Sequence, residues 1–436
     1  MLFRSRQPMY EEIIERLNAV RKEDRLNAIR ELTALVKTGK IPYPTCDHDV
    51  NNHIHTTYSF SPYSPTKAVW MGFMSGLKTI GIMDHDSIGG AEEFVEAAEI
   101  VGIAATVGVE TRVKMNKTAL NGKLINNPDQ KSVAYVAIHG IPHTQFAKVR
   151  AFFAPYTAKR CERDRKMTDN LNKMLNPFGI TLDFDKDIRP LSMNEDSGSV
   201  TERHLLYAVS LKMIERYGKG EKLVDFLTND VKIGLSDKVK GFLLDPENPY
   251  YEYDLLGALK SNMVSQFYID ADEECPDVFD FVEMAKDVHA VLAYAYLGDV
   301  TNSVTGDKKA QKFEDDYIDL LFDTLKRVGF NAVTYMPSRN TLDQLRRVRA
   351  LCDEYGFFQI SGEDINTPRQ KFICMAQRDP EFNNLYDAAW ALIGHEIAAT
   401  EDLDNSMFSD KTVKKMPSLC ERIDHYKKIS LSRYEK

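Results

Sequence analysis

Cysteine is scarce in this 436-residue chain, with six residues at positions 46, 161, 275, 352, 374 and 420, no C-x-x-C pair and no tight cluster. That spacing argues against a disulfide framework and against a thiolate zinc site, and leaves reduced thiols packed in a core. Long apolar runs are missing as well. No stretch approaches the roughly 18 residues of a membrane span, and the opening Met1-Leu-Phe-Arg-Ser-Arg lacks the apolar segment of a secretory signal. The expectation is a cytoplasmic protein with no membrane partner. There is no excess of basic charge either: 56 Lys and Arg stand against 65 Asp and Glu, a formal net of −9. Such a balance opposes diffuse attraction to polymeric nucleic acid and leaves small anionic substrates open. With 43% hydrophobic and 28% charged residues the chain is neither disordered nor a miniprotein. Its length suits two to three average domains, or one large barrel with insertions.

What is present is a change of pattern along the chain. Ile13, Ile14, Leu17, Val20, Leu26, Ile29, Leu32, Leu35 and Val36 recur at three- and four-residue steps, which predicts helices over 8–40. Beyond the Pro42-Tyr-Pro44 pair, short apolar runs alternate with helical stretches, as in β/α units. Residues 79–83 and 104–109 read as strands bracketing a helix over 91–101 that Gly102 ends. Residues 132–139 alternate, with Val133, Tyr135, Ala137 and His139 on one face. From 144 to 280 the pattern is helical, including 159–175, 201–217 with capping-box spacing at Ser199-Val-Thr-Glu202, 221–229 and 252–264. Strand-like runs return at 291–296, 332–335 and 357–361, separated by helices at 310–328 and 341–355, and the tail from 376 reads as helical. The expected organisation is an N-terminal helical extension (1–44), a β/α barrel (45–143 and 281–375), a helical insertion (144–280) and a C-terminal helical tail (376–436).

Ten histidines are present, and several fall at strand ends or beside carboxylates. His53-Ile-His55 sets two imidazoles on one face of an extended segment, where both can reach one metal. Asp84-His85-Asp86 follows a strand at the carboxyl end, where β/α proteins place their sites; the alternative is a turn with Asp86 as a helix cap. Glu110 ends the next strand in the same relative position. His204 falls in the first turn of the capped helix, where a neutral imidazole is favoured over a protonated one. Asp364 and Asn366 follow the last strand. The set is nitrogen and oxygen donors, suited to Zn, Mn or Fe.

In order and spacing these segments resemble the PHP (polymerase and histidinol phosphatase) superfamily of metal-dependent phosphoesterases. His53-Ile-His55-Thr-Thr-Tyr-Ser59, Ile82-Met-Asp-His85-Asp86, Val107-Gly-Val-Glu110, Val200-Thr-Glu-Arg-His204-Leu and Ile360-Ser-Gly-Glu-Asp364 look like its successive motifs. Residues from about 47 to 370 are covered, including a helical insertion with Arg163-Asp-Arg165 and Leu171 before Gly179-Ile180, as in the nucleotide-phosphatase branch. The resemblance implies a distorted (β/α)7 relative of the TIM barrel, an α/β fold with its metals at the carboxyl ends of the strands. It implies two divalent ions: the first on His53, His55, Glu110 and Asp364, the second sharing Glu110 and held by His204 and a further histidine. That further ligand is His139, with His143 in reserve.

Departures from the family pattern fall on one position. Phe60 stands where the first motif usually has Asp, and Asn366 where the last usually has His, so the third ion of trinuclear members would retain His85 alone. Ala293-Tyr294 replaces a common His-Pro. The expected function is hydrolysis of a small phosphomonoester, nucleotide-like or sugar-phosphate-like, by a hydroxide shared between two ions, with Asp364 orienting it. His85 would protonate the leaving oxygen or remain a ligand. Two other readings stay open: a degenerate PHP protein that binds a phosphorylated ligand or partner without turnover, and a nuclease acting on nucleic-acid ends. No substrate-binding residue is identified beyond these.

Overall fold

Seven strands form one curled sheet whose spatial order follows the chain: β1 (Val50–Ile54), β2 (Thr79–His85), β3 (Ala104–Lys114), β4 (Val133–His139), β5 (Val291–Ala295), β6 (Ala332–Thr334) and β7 (Phe358–Ile360). The computed structural model describes residues 8–300 and 312–435; residues 1–7 of the expected N-terminal extension and 310–311 of the helix expected at 310–328 lie outside them. The β1–β2, β2–β3, β5–β6 and β6–β7 pairs are parallel, while β4 runs antiparallel to both neighbours. After β7 the chain turns back beside β1, where Ile365 forms a parallel bridge with Ile54. The His55 N–H donates to the Ile365 carbonyl at 2.9 Å and the Ile365 N–H to the His53 carbonyl at 3.1 Å. That closure sets Asp364 and Asn366 beside His53 and His55.

Period-two alternation divides the strands into two faces. Ile80, Ile82, Val107, Val109, Val136 and Ile138 are buried on the outer side, in a cluster with Ala68, Val69, Phe94 and Ala97 from the helices Pro65–Met74 and Ala91–Val101. Burying each such Val, Ile or Phe is worth about 1.5–3 kcal/mol relative to exposure. The inner face carries the chemistry: His85, then Glu110 and Arg112, then Tyr135, Ala137 and His139, with Glu110 opposite Ala137 and Arg112 opposite Tyr135.

At the amino ends of the parallel strands the inner face is filled by the helix Asn383–Glu401. Its Ala388, Ala391 and Leu392 pack with Val291, Ala293, Ala332, Phe358 and Ile360; Tyr386 meets Val50, and Trp390 meets Ala104. Glu396 accepts the Val107 N–H and the Thr106 hydroxyl, both at 2.8 Å. The segment expected as an appended tail therefore forms the floor of the sheet. A second tail helix, Leu419–Tyr434, backs it so closely that a Cβ on Gly394 would lie 1.8 Å from the Tyr426 carbonyl oxygen.

Between β4 and β5 the chain is helical. The helix Phe146–Leu175 begins thirteen residues earlier than 159, the expected start. Leu171, Leu205, Val209, Leu255 and Leu259 anchor a separate apolar cluster that also takes in Phe60. The stretch expected as one helix over 221–229 divides into a short α-helix, Glu221–Asp225, and a π-helical turn, Phe226–Asp230. Among the described residues no helix is long and apolar enough to cross a membrane.

Candidate metal centre

β1, β2, β3 and the segment after β7 deliver five donor side chains to one point. The Nε2 atoms of His53 and His55 lie 3.2 Å apart and stand 3.7 and 3.9 Å from Oε2 of Glu110. His55 Nε2 is also 3.2 Å from Oδ1 of Asp364, and His85 Nδ1 is 3.2 Å from Glu110 Oε2. Donor atoms of His53, His55 and Glu110 all fall within 4.8 Å of one another, a grouping able to hold an ion. Burial pushes the Glu110 carboxyl up, and the fields of His53, His85 and His55 outweigh it, holding the group at about 2. Asp364 is held well below the usual carboxylate range because His55, His53 and Arg203 overcome its burial. Burial lowers His53, but Glu110 and Asp364 reverse the sign and raise it.

His139 lies at the carboxyl end of β4, which the antiparallel direction turns toward the floor. It is 1% exposed, and its Nε2 has no hydrogen-bond partner. Burial, reinforced by His53, brings its pKa down to about 3 and keeps the ring neutral. A buried, neutral imidazole with an unpartnered nitrogen, in the field of His53 and Glu110, is a donor available to a cation. The reserve candidate His143 is at the floor, where its Nε2 meets Glu396 Oε1 at 2.9 Å.

His204 is placed differently from the expectation. Thr201, not Ser199, is the N-cap of the helix Glu202–Tyr217, and Nδ1 of His204 accepts the Thr201 backbone N–H at 3.0 Å. A neutral ring accepting at Nδ1 carries its proton on Nε2, which leaves that nitrogen no lone pair for an ion. The ring packs edge-on against Phe60 at 5.0 Å, and burial lowers its pKa to about 3. His204 is thus a capping residue at the wall of the site. Asp86, by contrast, caps no helix, Gly90 holding that place; at φ 51° it accepts from Thr111 and pairs with Arg160 at 2.8 Å.

Sequence reasoning missed the surroundings. Asp84 collects the Thr56 N–H at 2.7 Å and the Thr56 and Ser59 hydroxyls at 2.6 Å, and burial raises its pKa. Above the donors opens a pocket lined by His55, Phe60, His85, Arg112, Tyr135, Arg160, Glu202, Arg203 and Asn366. Arg112 donates to Tyr268 and Glu274, and Arg163 donates to Glu274 at 2.5 Å, so one buried carboxylate gathers guanidinium groups from β3 and from the insertion. Nε of Arg112 remains buried without a partner. Asn366 donates to Asp364 Oδ1 at 2.6 Å and accepts from Arg203 Nη1 at 2.7 Å. Apart from the Asn366–Asp364 contact, these partners are distant in sequence, and only the residue types carried a signal.

No protein-family model matches the chain. A 58-residue stretch, 13% of the chain, is 40% identical to a 5'-3' exoribonuclease of Haemophilus influenzae, and the match spans 21% of that relative's length. Among solved structures, a Bifidobacterium adolescentis protein provisionally assigned as a metal-dependent phosphoesterase superposes with TM-score 0.48 and 16% identity, over 75% of this chain and 92% of that one. An amidohydrolase from Chromobacterium violaceum, with bound sulfate and no metal, superposes with TM-score 0.47 and 17% identity, over 74% and 89%. At these values neither likeness assigns the chain an activity.

Proposed function

We propose that this protein is a metal-dependent phosphoesterase of the PHP type, acting on a small phosphomonoester. The observation that carries the reading is the convergence of His53, His55, Glu110 and Asp364 beneath an arginine-lined pocket, with an unpartnered His139 nitrogen beside them. His53, His55, Glu110 and Asp364 would hold a first divalent ion, and His139 or His85 would share Glu110 with a second. Bound ions supply a water acidified toward neutrality and charge to offset the phosphoryl oxygens. The chain supplies the rest. Asp364, kept ionised, orients the attacking water by accepting a hydrogen bond from it. Arg112 and Arg160 face the pocket as guanidinium donors for phosphoryl oxygens. His85, which lines the pocket and touches Glu110, is kept neutral by burial and by His55, with its pKa brought down to about 3, so it serves as a ligand and the leaving oxygen takes its proton from solvent. Phe60 and Tyr135 bound the space left for the leaving group.

The test is hydrolysis of a panel of nucleotide and sugar monophosphates by purified protein loaded with Mn, Zn or Fe(II). Activity should vanish with chelator and in Glu110→Gln, which should fold yet retain little metal. Hydrolysis near the wild-type rate by Glu110→Gln would remove the proposed bridge.

The 58-residue match to an exoribonuclease favours a second reading, removal of terminal nucleotides from RNA. Short 5'-phosphorylated oligonucleotides set against mononucleotides in the same assay separate the two, because an end-directed nuclease prefers the former.

A further inference from the structure

We propose that Arg203 stands in for a third cation at this site, as a guanidinium fixed by Asn366 to contact the substrate's phosphoryl oxygens. The inference rests on the phosphoesterase reading and adds to it a residue that the motif resemblance does not assign.

Three observations meet at one corner of the pocket. Phe60 is 7% exposed and its ring packs on His204 at 5.0 Å and Tyr207 at 5.8 Å, so the side chain belongs to the apolar cluster of the insertion and offers no lone pair. The carbonyl of Asn366 is already engaged by Arg203 and its amide by Asp364, which leaves neither free for an ion. Arg203, half-buried, lines the same pocket as His55 and His85, and among the described residues Asn366 is its hydrogen-bond partner. A guanidinium carries five N–H donors in a planar fork suited to phosphoryl oxygens, so one bond to Asn366 leaves most of the fork for a ligand. Asn366 thus works as a two-sided clamp: its amide holds Asp364 among the metal donors, and its oxygen aims Arg203 into the pocket. A divalent ion at that corner would face this guanidinium at close range, with no ligand from Phe60 or from the engaged Asn366. The protein-borne charge and a third ion exclude each other.

The experiment compares wild type with Arg203→Met, Arg203→Lys and Asn366→Ala. Metal content is measured by elemental analysis, inorganic phosphate binding to metal-loaded protein by calorimetry, and folding by thermal unfolding. Expected are at most two ions per chain in wild type, the same count in Arg203→Met, and at least tenfold weaker phosphate binding in that variant. Arg203→Lys should recover part of the affinity, and Asn366→Ala should weaken phosphate binding less than Arg203→Met. Guanidinium ion added to Arg203→Met should restore part of any hydrolysis. A third site should form in Phe60→Asp with Asn366→His only when Arg203→Met is added. Unchanged phosphate affinity in folded, metal-loaded Arg203→Met overturns the proposal; so does a third ion in wild type, or no phosphate binding by wild type. Phosphate binding does not depend on turnover, so a panel without hydrolysis would count against the phosphoesterase reading while leaving this measurement intact.

Discussion

The hydroxyl of Ser59 lies 3.2 Å from Nδ1 of His55, and its proton is already committed to Asp84 at 2.6 Å. Ser59 can therefore only accept from that nitrogen, which fixes a ring proton on Nδ1 and leaves Nε2, facing Asp364 and Glu110, as the nitrogen an ion would take. The chain Asp84, Ser59, His55 prepares the imidazole as a ligand before any ion arrives. Ser59→Ala should fold normally and lose roughly 10- to 100-fold in metal affinity, the usual effect of removing such a support. Competition against a chromogenic chelator reads it directly, and affinity within twofold of wild type would show that the serine does not set the tautomer.

Gly362 is pressed against β1, where an added Cβ would sit 2.7 Å from both the Cβ and the backbone nitrogen of His53. Gly362→Ala must push the strand or the loop aside, at a cost of about 1–3 kcal/mol for overpacking. Both unfolding free energy and metal content should drop. A variant with both intact would mean that the loop yields without moving His53.

His395, on the floor helix, accepts the Met407 N–H at Nδ1 and donates from Nε2 to the Gly140 carbonyl. Burial lowers its pKa to about 4, against about 6.5 in the unfolded chain. Between those values the unfolded state binds more protons, so the stability this neutral ring provides is complete above pH 6.5. It fades as pH falls toward 4, by on the order of 3 kcal/mol. Urea unfolding of metal-free protein at pH 7.5 and 4.5 should show the loss, and His395→Gln should reduce the difference; an identical pH dependence in the variant would contradict it.

Glu274 is 2% exposed in its side chain and is shared by Arg112 of β3 and Arg163 of the insertion helix, with Arg160 3.4 Å away. Its removal strands buried cations, a change that costs roughly 3–5 kcal/mol when one partner of a buried pair is lost. Glu274→Ala should lower the denaturant midpoint accordingly, and a change below about 1 kcal/mol would show that water replaces the carboxylate.

Much of the sheet was legible because its strands are short apolar runs with local punctuation: 79–83, 104–109 and 132–139 are the cores of β2, β3 and β4. The donors His53, His55, Glu110 and Asp364 stood out because they sit at strand ends in a recurring position. What escaped was long-range. Nothing local marks Glu396 as the acceptor for Thr106, 290 residues away, so the floor helix read as a tail. Arg203 and Asn366 are 163 residues apart, and the absence of a His at 366 registered as a loss where the structure has a clamp. His204 misled because spacing indicates which residue lies in a helix's first turn but not which ring nitrogen the backbone claims.

The reversed direction of β4 has a consequence for length. Because β4 descends, the helix Phe146–Leu175 starts near the floor, where His143 meets Glu396, and must climb to the mouth before Arg160 can reach Asp86. Thirty residues at 1.5 Å give it about 45 Å, enough to run past the sheet. The helix is then a ruler with a phase: inserting or deleting one residue between Phe146 and Arg160 turns every later side chain by about 100° and carries Arg160 away from Asp86. Substitutions along that stretch can be many, but its residue count is bound to the geometry of the pocket.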